Sequence, residues 1–219
     1  MRRIQTKKIL LGLMVLSGLS MFSQSIEKLY VGMPDRINPT TTKKIRLEML
    51  EYHKVGQGDS IQNRFGGNAY LQTFDTLNNR IVVKNSQSTI FEMKLLKTDD
   101  GTPIVGVIQS VCSPICHSVV VFYDTAWNKL PIQFDMPKAK QWIDQKRFEV
   151  EPNLDKIWAI NVLENSFVSL RFDVANQWII ATNNSAEFLS DADRKVIQPI
   201  LDDKPIIFQL EARKWIQKP

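Results

Sequence analysis

Short hydrophobic segments separated by turn-forming residues dominate the middle of this chain. Each segment spans about five to ten residues and is rich in β-branched and aromatic side chains, which is typical of β-strands. The segments are Ala69–Phe74, Arg80–Lys84, Thr89–Lys97, Ile104–Cys112 and Cys116–Tyr123. Asn, Ser, Asp, Gly and Pro fill the short connections, so consecutive strands are expected to be neighbours. The pattern predicts an antiparallel β-meander.

Helical periodicity flanks this meander on both sides. The segment Thr40–Lys54 carries apolar side chains on one face, and Thr40 or Thr41 is placed to cap its first turn. The apolar positions, spaced i, i+4 and i+7, are Ile45, Met49 and Tyr52. Ser190, followed three residues later by Asp193, marks the start of a second helix near the C-terminus. One helix therefore precedes the strands and one follows most of them.

Further strand-like segments lie beyond the meander. They are Ile157–Leu163, Phe167–Val174, Trp178–Thr182 and Pro205–Trp215. The stretch 131–154 contains three prolines and the least regular pattern, so a seam between two subregions is expected there. The elements together predict an α+β fold, with antiparallel β-meander sheets, an N-terminal helix and a C-terminal helix in a single domain over residues 26–219.

Residues 1–25 have the pattern of a secretory signal peptide. A basic start is followed by an apolar run of about 14 residues, shorter than the roughly 20 that a membrane-spanning helix needs. Ser23 and Ser25 fit a cleavage site that would make Ile26 the first residue of the mature protein. An uncleaved N-terminal anchor is the alternative. After cleavage the protein is expected in the periplasm or outside the cell, without a membrane span.

Removing the signal changes the charge of the protein. The whole chain carries a net charge of +5, but the first 25 residues contain four basic and no acidic side chains, which leaves +1 for the rest. Nucleic-acid binding usually requires a strongly basic surface. The mature domain is therefore not expected to bind nucleic acid.

The only two cysteines, Cys112 and Cys116, bracket three residues at the end of two predicted strands. In an exported protein such a pair is usually oxidised, and opposed strand positions place the Cα atoms about 4.5 to 5.5 Å apart, within disulfide range. We predict a structural disulfide. A redox dithiol activated by His117 is the alternative, and a metal site would also need the distant His53. No metal or cofactor is predicted.

Other candidate sites have simpler explanations as structural turns. Asn63–Gly67 contains adjacent glycines beside an arginine and resembles an anion-binding backbone nest, but no helix follows it. The acidic pairs Asp99–Asp100 and Asp202–Asp203 lie in predicted turns, so they are expected to be solvated turn residues rather than acid/base catalysts. Neither His53 nor His117 lies near the sequence pattern of a nucleophilic serine. No catalytic residue is predicted.

Several segments together resemble an exported family of unknown function from Bacteroidales-type bacteria. They are Met33–Asp35, Asn63–Gly67, Phe91–Leu96, Val111–Ser118 and Phe122–Trp127. The resemblance extends over most of the mature chain. It implies export and a shared fold, and it implies no activity, so no catalytic residue is transferred from it.

These observations favour an exported, non-catalytic binding module whose partner is a protein or glycan of the cell envelope. Two alternatives remain. A carboxylate-dependent hydrolase acting on envelope glycans needs two acidic groups about 5 to 9.5 Å apart across a cleft. A thiol oxidoreductase would use Cys112 and Cys116.

Overall fold

The structure is a computed structural model that describes residues 25–152, 154–164, 167–202 and 204–218. The predicted signal segment, except for Ser25, lies outside the described residues. No helix in these ranges is long and apolar enough to cross a membrane.

Helices occur at the start of the chain and in its second half, and strands form two separate groups. The α-helices are α1 Ile26–Gly32, α2 Lys43–Lys54, α3 Gln145–Val150, α4 Lys156–Glu164, α5 Ser185–Phe188 and α6 Asp191–Ile197, with 3-10 turns at Ala139–Trp142 and Gln198–Ile200. The first six strands are β1 Ser60–Gln62, β2 Asn68–Asp75, β3 Arg80–Lys84, β4 Thr89–Lys97, β5 Pro103–Cys112 and β6 Cys116–Tyr123. The last four are β7 Val168–Phe172, β8 Trp178–Asn183, β9 Ile206–Glu211 and β10 Lys214–Gln217.

The first sheet is a six-stranded antiparallel meander in the order β1-β2-β3-β4-β5-β6. Helices α1 and α2 cover one of its faces, where alternate strand residues form a hydrophobic core with them. The sheet residues of this core include Leu71, Ile81, Val83, Phe91, Met93, Val105 and Val107. Arg46 of α2 is fully buried there and donates hydrogen bonds to the main-chain oxygens of Val31, Met33 and Thr41, so it fixes the turn between the two helices.

The second sheet has the order β10-β9-β8-β7 and lies against the opposite face of the first. Its core combines sheet residues with helices α3, α4 and α6 and with Trp142. Phe122 and Leu96 of the first sheet belong to the same core, which joins the two sheets.

Strand β7 is an edge strand whose outward N–H groups are satisfied by side chains of the first sheet. The amides of Val168, Leu170 and Phe172 donate to His117 Nδ1 at 3.4 Å, Ser118 Oγ at 2.9 Å and Glu92 Oε1 at 3.1 Å. Because an unpaired buried N–H costs free energy, these contacts explain why polar side chains lie between two hydrophobic cores.

Lys94 and Glu92 are buried on the same face of β4, and each has its own polar partners. The Lys94 ammonium donates to the main-chain oxygens of Asp173, Val174 and Asn176 in the turn after β7. Glu92 forms an ion pair of 2.6 Å with Arg80. Charges on this face therefore hold the second sheet against the first.

The predicted fold class is confirmed, and strands β2 to β6 lie where the hydrophobic pattern predicted them. The predicted strand Ile157–Leu163 is wrong, because this segment is helix α4. The Asp155 carboxylate accepts hydrogen bonds from the amides of Ile157 and Trp158, which starts the helix, and Ala159 and Leu163 form its buried face.

Three smaller expectations also need correction. The N-cap residue of α2 is Thr42 rather than Thr40 or Thr41, and its side chain makes no capping hydrogen bond. Thr41 is buried, and its hydroxyl accepts a hydrogen bond from Asn38. Tyr52 is 40 % exposed and lies off the buried face of α2. The segment predicted as one C-terminal strand is a hairpin, since Ala212 and Arg213 have φ values of 45° and 63° and reverse the chain between β9 and β10.

The stretch 131–154 connects the two sheets and contains a 3-10 turn and α3. Its first part, residues 131–138, has neither helix nor strand. The division into two subregions at this seam stays a prediction.

Candidate functional site

A groove of about 320 Å³ lies on the helix-covered face of the first sheet, beside the end of the helical layer. We call it the β6 groove, and it is lined by Arg36, Ile37, Val107, Gln109, Val119, Val121, Tyr123, Trp127 and Lys129. Its volume is near the lower limit of the range for small-ligand pockets.

The floor of the β6 groove comes from alternate residues of two paired strands. Val107 is opposite Val121, and Gln109 is opposite Val119, so all four side chains lie on the same face. Helices cover Val107, which is 2 % exposed, but they do not reach β6, where Val119 is 52 % exposed. An apolar strip of the sheet is therefore open to solvent.

The turn Asp124–Asn128 forms one end of the β6 groove. The Asp124 carboxylate accepts hydrogen bonds from the amides of Ala126 and Asn128 and from the Asn128 side chain, and these bonds lower the pKa of Asp124. Trp127 has a φ of 68°, which is unusual for a bulky residue, yet its side chain is 5 % exposed. Trp127 therefore lines the groove as a buried side chain and does not present an exposed aromatic face.

Tyr123 also lines the groove and packs beside Trp127. Its ring centroid is 5.6 Å from that of Trp127, in a tilted arrangement. Partial burial raises the pKa of Tyr123, and the nearby Arg36 opposes this effect. The hydroxyl therefore stays protonated at neutral pH and is available as a hydrogen-bond donor.

Both charged side chains that line the β6 groove are cationic. Arg36 and Lys129 are exposed, and neither forms an ion pair with a carboxylate in the part of the chain that the structure describes. Gln109 donates from Nε2 to the main-chain oxygen of Ile37 at 2.6 Å, which fixes the loop that carries Arg36. The groove thus combines an apolar floor with a positive rim.

A second opening, of about 490 Å³, follows the outer edge of β6 and shares Val121 and Lys129 with the groove. We call it the edge cleft. Its other wall is the segment 130–135. The two openings are therefore adjacent, one on the face and one on the edge of the same strand.

The two cysteines lie at the tip of the β5–β6 hairpin, opposite one another in register. Their sulfur atoms are 2.00 Å apart, at disulfide bonding distance. The Cα atoms are 3.8 Å apart, closer than the predicted 4.5 to 5.5 Å, because the pair closes the last residues of a tight hairpin. His117 Nδ1 accepts from the Val168 amide, and His53 on α2 is 2.6 Å from Asp59. Among the described residues, no group of three or more His, Cys, Asp or Glu side chains is arranged to hold a metal ion.

The suspected anion nest at Asn63–Gly67 is a self-contained turn. The Asn63 side-chain oxygen accepts hydrogen bonds from the amides of Phe65 and Gly67, and the Arg64 amide donates to the Thr40 main-chain oxygen. These N–H groups are already occupied, which removes the basis for anion binding there.

The acidic residues that the sequence singled out shape turns. Asp99 accepts from the Ala212 amide, and Asp100 accepts from Thr98 and Thr102, hydrogen bonds that lower the pKa of Asp100 to about 2. Asp202 accepts from the Lys204 amide, while Asp203 lies outside the described residues. None of five openings formed by the described residues is lined by two carboxylates. These openings therefore lack the two facing carboxylates that the glycan-hydrolase hypothesis requires.

Sequence reasoning missed the β6 groove. Its residues come from the loop before α2, from two strands and from the turn after β6, and no motif links them. The alternation of Val119, Val121 and Tyr123 indicates that they share a face, but it does not indicate that this face is left uncovered.

Comparisons with known proteins agree with the fold and assign no activity. Residues 18–215 match the family described as "Protein of unknown function (DUF3256)". No curated protein matches the chain. One solved structure that matches is a domain of an uncharacterized protein from Porphyromonas gingivalis W83, with a TM-score of 0.69, 16 % identity, and coverage of 88 % of this chain and 97 % of that chain. At this identity the similarity shows a shared fold.

Proposed function

The chain belongs to the DUF3256 family of proteins of unknown function, and from that premise we propose that it is an exported, non-catalytic binding module of the cell envelope. The β6 groove is its recognition surface. The partner is a protein that inserts a peptide segment into the groove.

The exposure of the β6 groove is the observation that carries this proposal. Val119 and Val121 lie on the same sheet face as Val107, which the helices bury. Folding alone gains nothing from leaving apolar strand residues in water. An exposed apolar strip with a polar rim is typical of a surface that a partner covers.

The lining favours a polypeptide over a glycan. Sugar rings are usually bound by stacking on exposed aromatic faces, but Trp127 is buried and the floor consists of Gln109 and three valines. The aliphatic carbons of peptide side chains match such a floor, and the Tyr123 hydroxyl and the rim cations supply polar contacts.

Two features support the export that this proposal includes. The basic and apolar start of the chain has the order of a signal peptide. The Cys112–Cys116 pair is at bonding distance, and disulfides persist mainly in oxidising compartments outside the cytoplasm.

The recognition surface is tested by a photo-crosslinking amino acid placed in the native organism at Val119, with Leu77 as the control position. Leu77 is 92 % exposed in the β2–β3 turn, far along the sheet from β6. We expect one dominant protein adduct from position 119 and none of that mass from position 77. Identical adducts from both positions, or no adduct from position 119, would refute the proposal.

Export is tested separately by fractionating the same cells and sequencing the N-terminus of the recovered protein. We expect the mature chain in the periplasm or the medium, beginning within about two residues of Ile26. Recovery of the full chain from the cytoplasm contradicts export.

A further inference from the structure

Part of the outer edge of β6 is unpaired. The Phe122 main-chain oxygen accepts a hydrogen bond from the Leu130 amide, and the Cys116 oxygen accepts from Asn184, so the even-numbered residues of β6 direct their main-chain groups outward. Val120 has the same orientation by alternation. Neither its N–H nor its C=O has an outward partner among the described residues, and Val120 lines the edge cleft.

The opposite wall of the edge cleft is also extended and unpaired. Ile132, Phe134 and Met136 pack inward against the core, whereas Gln133 and Asp135 are exposed, which is the two-residue period of an extended chain. Within the described ranges, no main-chain hydrogen bond involves residues 131–137. Two extended backbones with free hydrogen-bonding groups thus border one cleft of about 490 Å³.

The position of the edge cleft relates it to the β6 groove. A strand added beside β6 would direct every second side chain to the face that carries Val119 and Val121. Those side chains would meet Arg36 and Lys129. No carboxylate lines the groove, and Asp135, which lines the edge cleft, lies on its opposite wall. Acidic side chains complement this rim, whereas basic ones would be repelled.

We propose that the partner binds by strand addition to β6: an extended, acidic segment of another protein enters the edge cleft, pairs with the main chain of Val120 and places carboxylates between Arg36 and Lys129. This inference rests on the proposed function and adds the conformation and charge of the ligand. Main-chain pairing supplies affinity and alternate side chains supply specificity in this mode of recognition.

The experiment measures binding of two capped octapeptides to the mature protein by calorimetry. The probe has the sequence Thr-Glu-Val-Glu-Val-Glu-Val-Thr, and the control has Lys in place of each Glu. We expect the glutamate peptide to bind about tenfold more tightly, with a ratio that decreases at high salt. The double variant R36Q/K129Q should abolish the difference, whereas K195Q/K204Q, which changes two exposed cations elsewhere, should preserve it.

Val120→Pro tests the strand pairing itself. Proline removes an N–H that is directed outward, so no ladder bond within the first sheet is lost, and edge strands tolerate this change. We expect Val120→Pro to weaken the glutamate peptide about tenfold or more, and Val120→Thr, which keeps the N–H, to bind normally. Urea unfolding verifies that both variants are folded.

The outcomes separate this inference from the proposed function. Equal binding to Val120→Pro and wild type overturns strand addition, as does failure of the glutamate peptide to bind at about 1 mM. Tighter binding of an oligogalacturonate than of the peptide, or a dimer in sedimentation that Val120→Pro dissociates, would assign the cleft to a glycan or to a second copy and also overturns it. The crosslink at position 119 decides the proposed function in each case.

Discussion

The ring of Phe172 in β7 occupies the space beside Gly106 in β5 that a side chain at position 106 would fill. A Cβ atom there would lie 2.5 Å from Cζ of Phe172 and 3.2 Å from a methyl group of Leu96. The two sheets approach closely at this point because glycine has no side chain.

Gly106→Ala is expected to lower the free energy of unfolding by about 1 to 3 kcal/mol, because Phe172 must shift in a filled core. The control is Gly32→Ala in α1, where nothing lies within 4 Å of the added methyl group, and it should change stability by less than about 1 kcal/mol. Urea unfolding measures both. Equal losses would show that the sheets do not meet at Gly106.

Ser118→Ala removes the acceptor of the Leu170 amide. We expect a loss of about 1 to 2 kcal/mol and faster hydrogen exchange at Leu170, because the N–H remains buried without a partner. Ser110→Ala is the control, since the Ser110 hydroxyl contacts the Ser118 hydroxyl at 2.7 Å and leaves the bond to Leu170 in place. If the hydrogen-exchange rate of the Leu170 amide is the same in Ser118→Ala as in wild type, this amide does not depend on a hydrogen bond to Ser118.

Glu92 gives a pH dependence of stability. Burial raises the pKa of Glu92 above its ordinary value of 4.5, although Arg80 acts in the opposite direction. The folded protein therefore holds a proton that the unfolded chain releases, and this contribution to stability is lost as the pH rises from the ordinary to the raised pKa.

The difference in unfolding free energy between wild type and Glu92→Gln should accordingly decrease as the pH rises through this window. Denaturant unfolding at several pH values measures that difference. Glu149→Gln changes an exposed carboxylate and should show no such trend. A difference that grows with pH would mean that the ion pair with Arg80 outweighs burial.

Arg46→Met should cost about 3 kcal/mol or more, because three main-chain oxygens around the fully buried guanidinium lose their donor. Arg36→Met, at an exposed arginine of the same region, should be nearly neutral. Thermal and urea unfolding compare the two. A small effect of Arg46→Met would mean that water replaces the arginine.

Replacing both cysteines, as in C112A/C116A, should lower the unfolding free energy by about 1 to 2 kcal/mol, because the loop that the disulfide closes is short. Reduced wild type should have the same stability as the variant. A stability loss only in the variant would show that the alanines, rather than the missing bond, cause it. Retained peptide binding in the variant would separate the disulfide from recognition.

The meander could be predicted because its strands alternate in pattern and end at clear turn residues. The prediction of a strand at Ile157–Leu163 was wrong, because a short apolar run that contains isoleucine and valine fits a strand or a buried helix equally well. The Asp155 carboxylate favours the helix, since it accepts hydrogen bonds from the first amides of that helix. The turn between β9 and β10 was not predicted, because Ala212 and Arg213 adopt positive φ values without the glycine or asparagine that usually marks such a turn.

The candidate site lay beyond the reach of sequence patterns. Val107 and Val119 are both valines in neighbouring strands, yet one is 2 % and the other 52 % exposed. The difference arises from how far the helical layer extends over the sheet, which depends on tertiary contacts such as those of Arg46. Hydrophobic periodicity identifies which residues share a face, and it cannot identify where the covering layer stops.

The attachment of β7 to His117, Ser118 and Glu92 also makes the second sheet depend on the first. The first sheet supplies the acceptors for the amides of Val168, Leu170 and Phe172 at the outer edge of β7. During synthesis the N-terminal half emerges first, so the strands that carry these acceptors are made before the strand that needs them. A fragment starting at residue 168 would instead present a bare strand edge, and we expect it to aggregate where the whole chain remains dispersed.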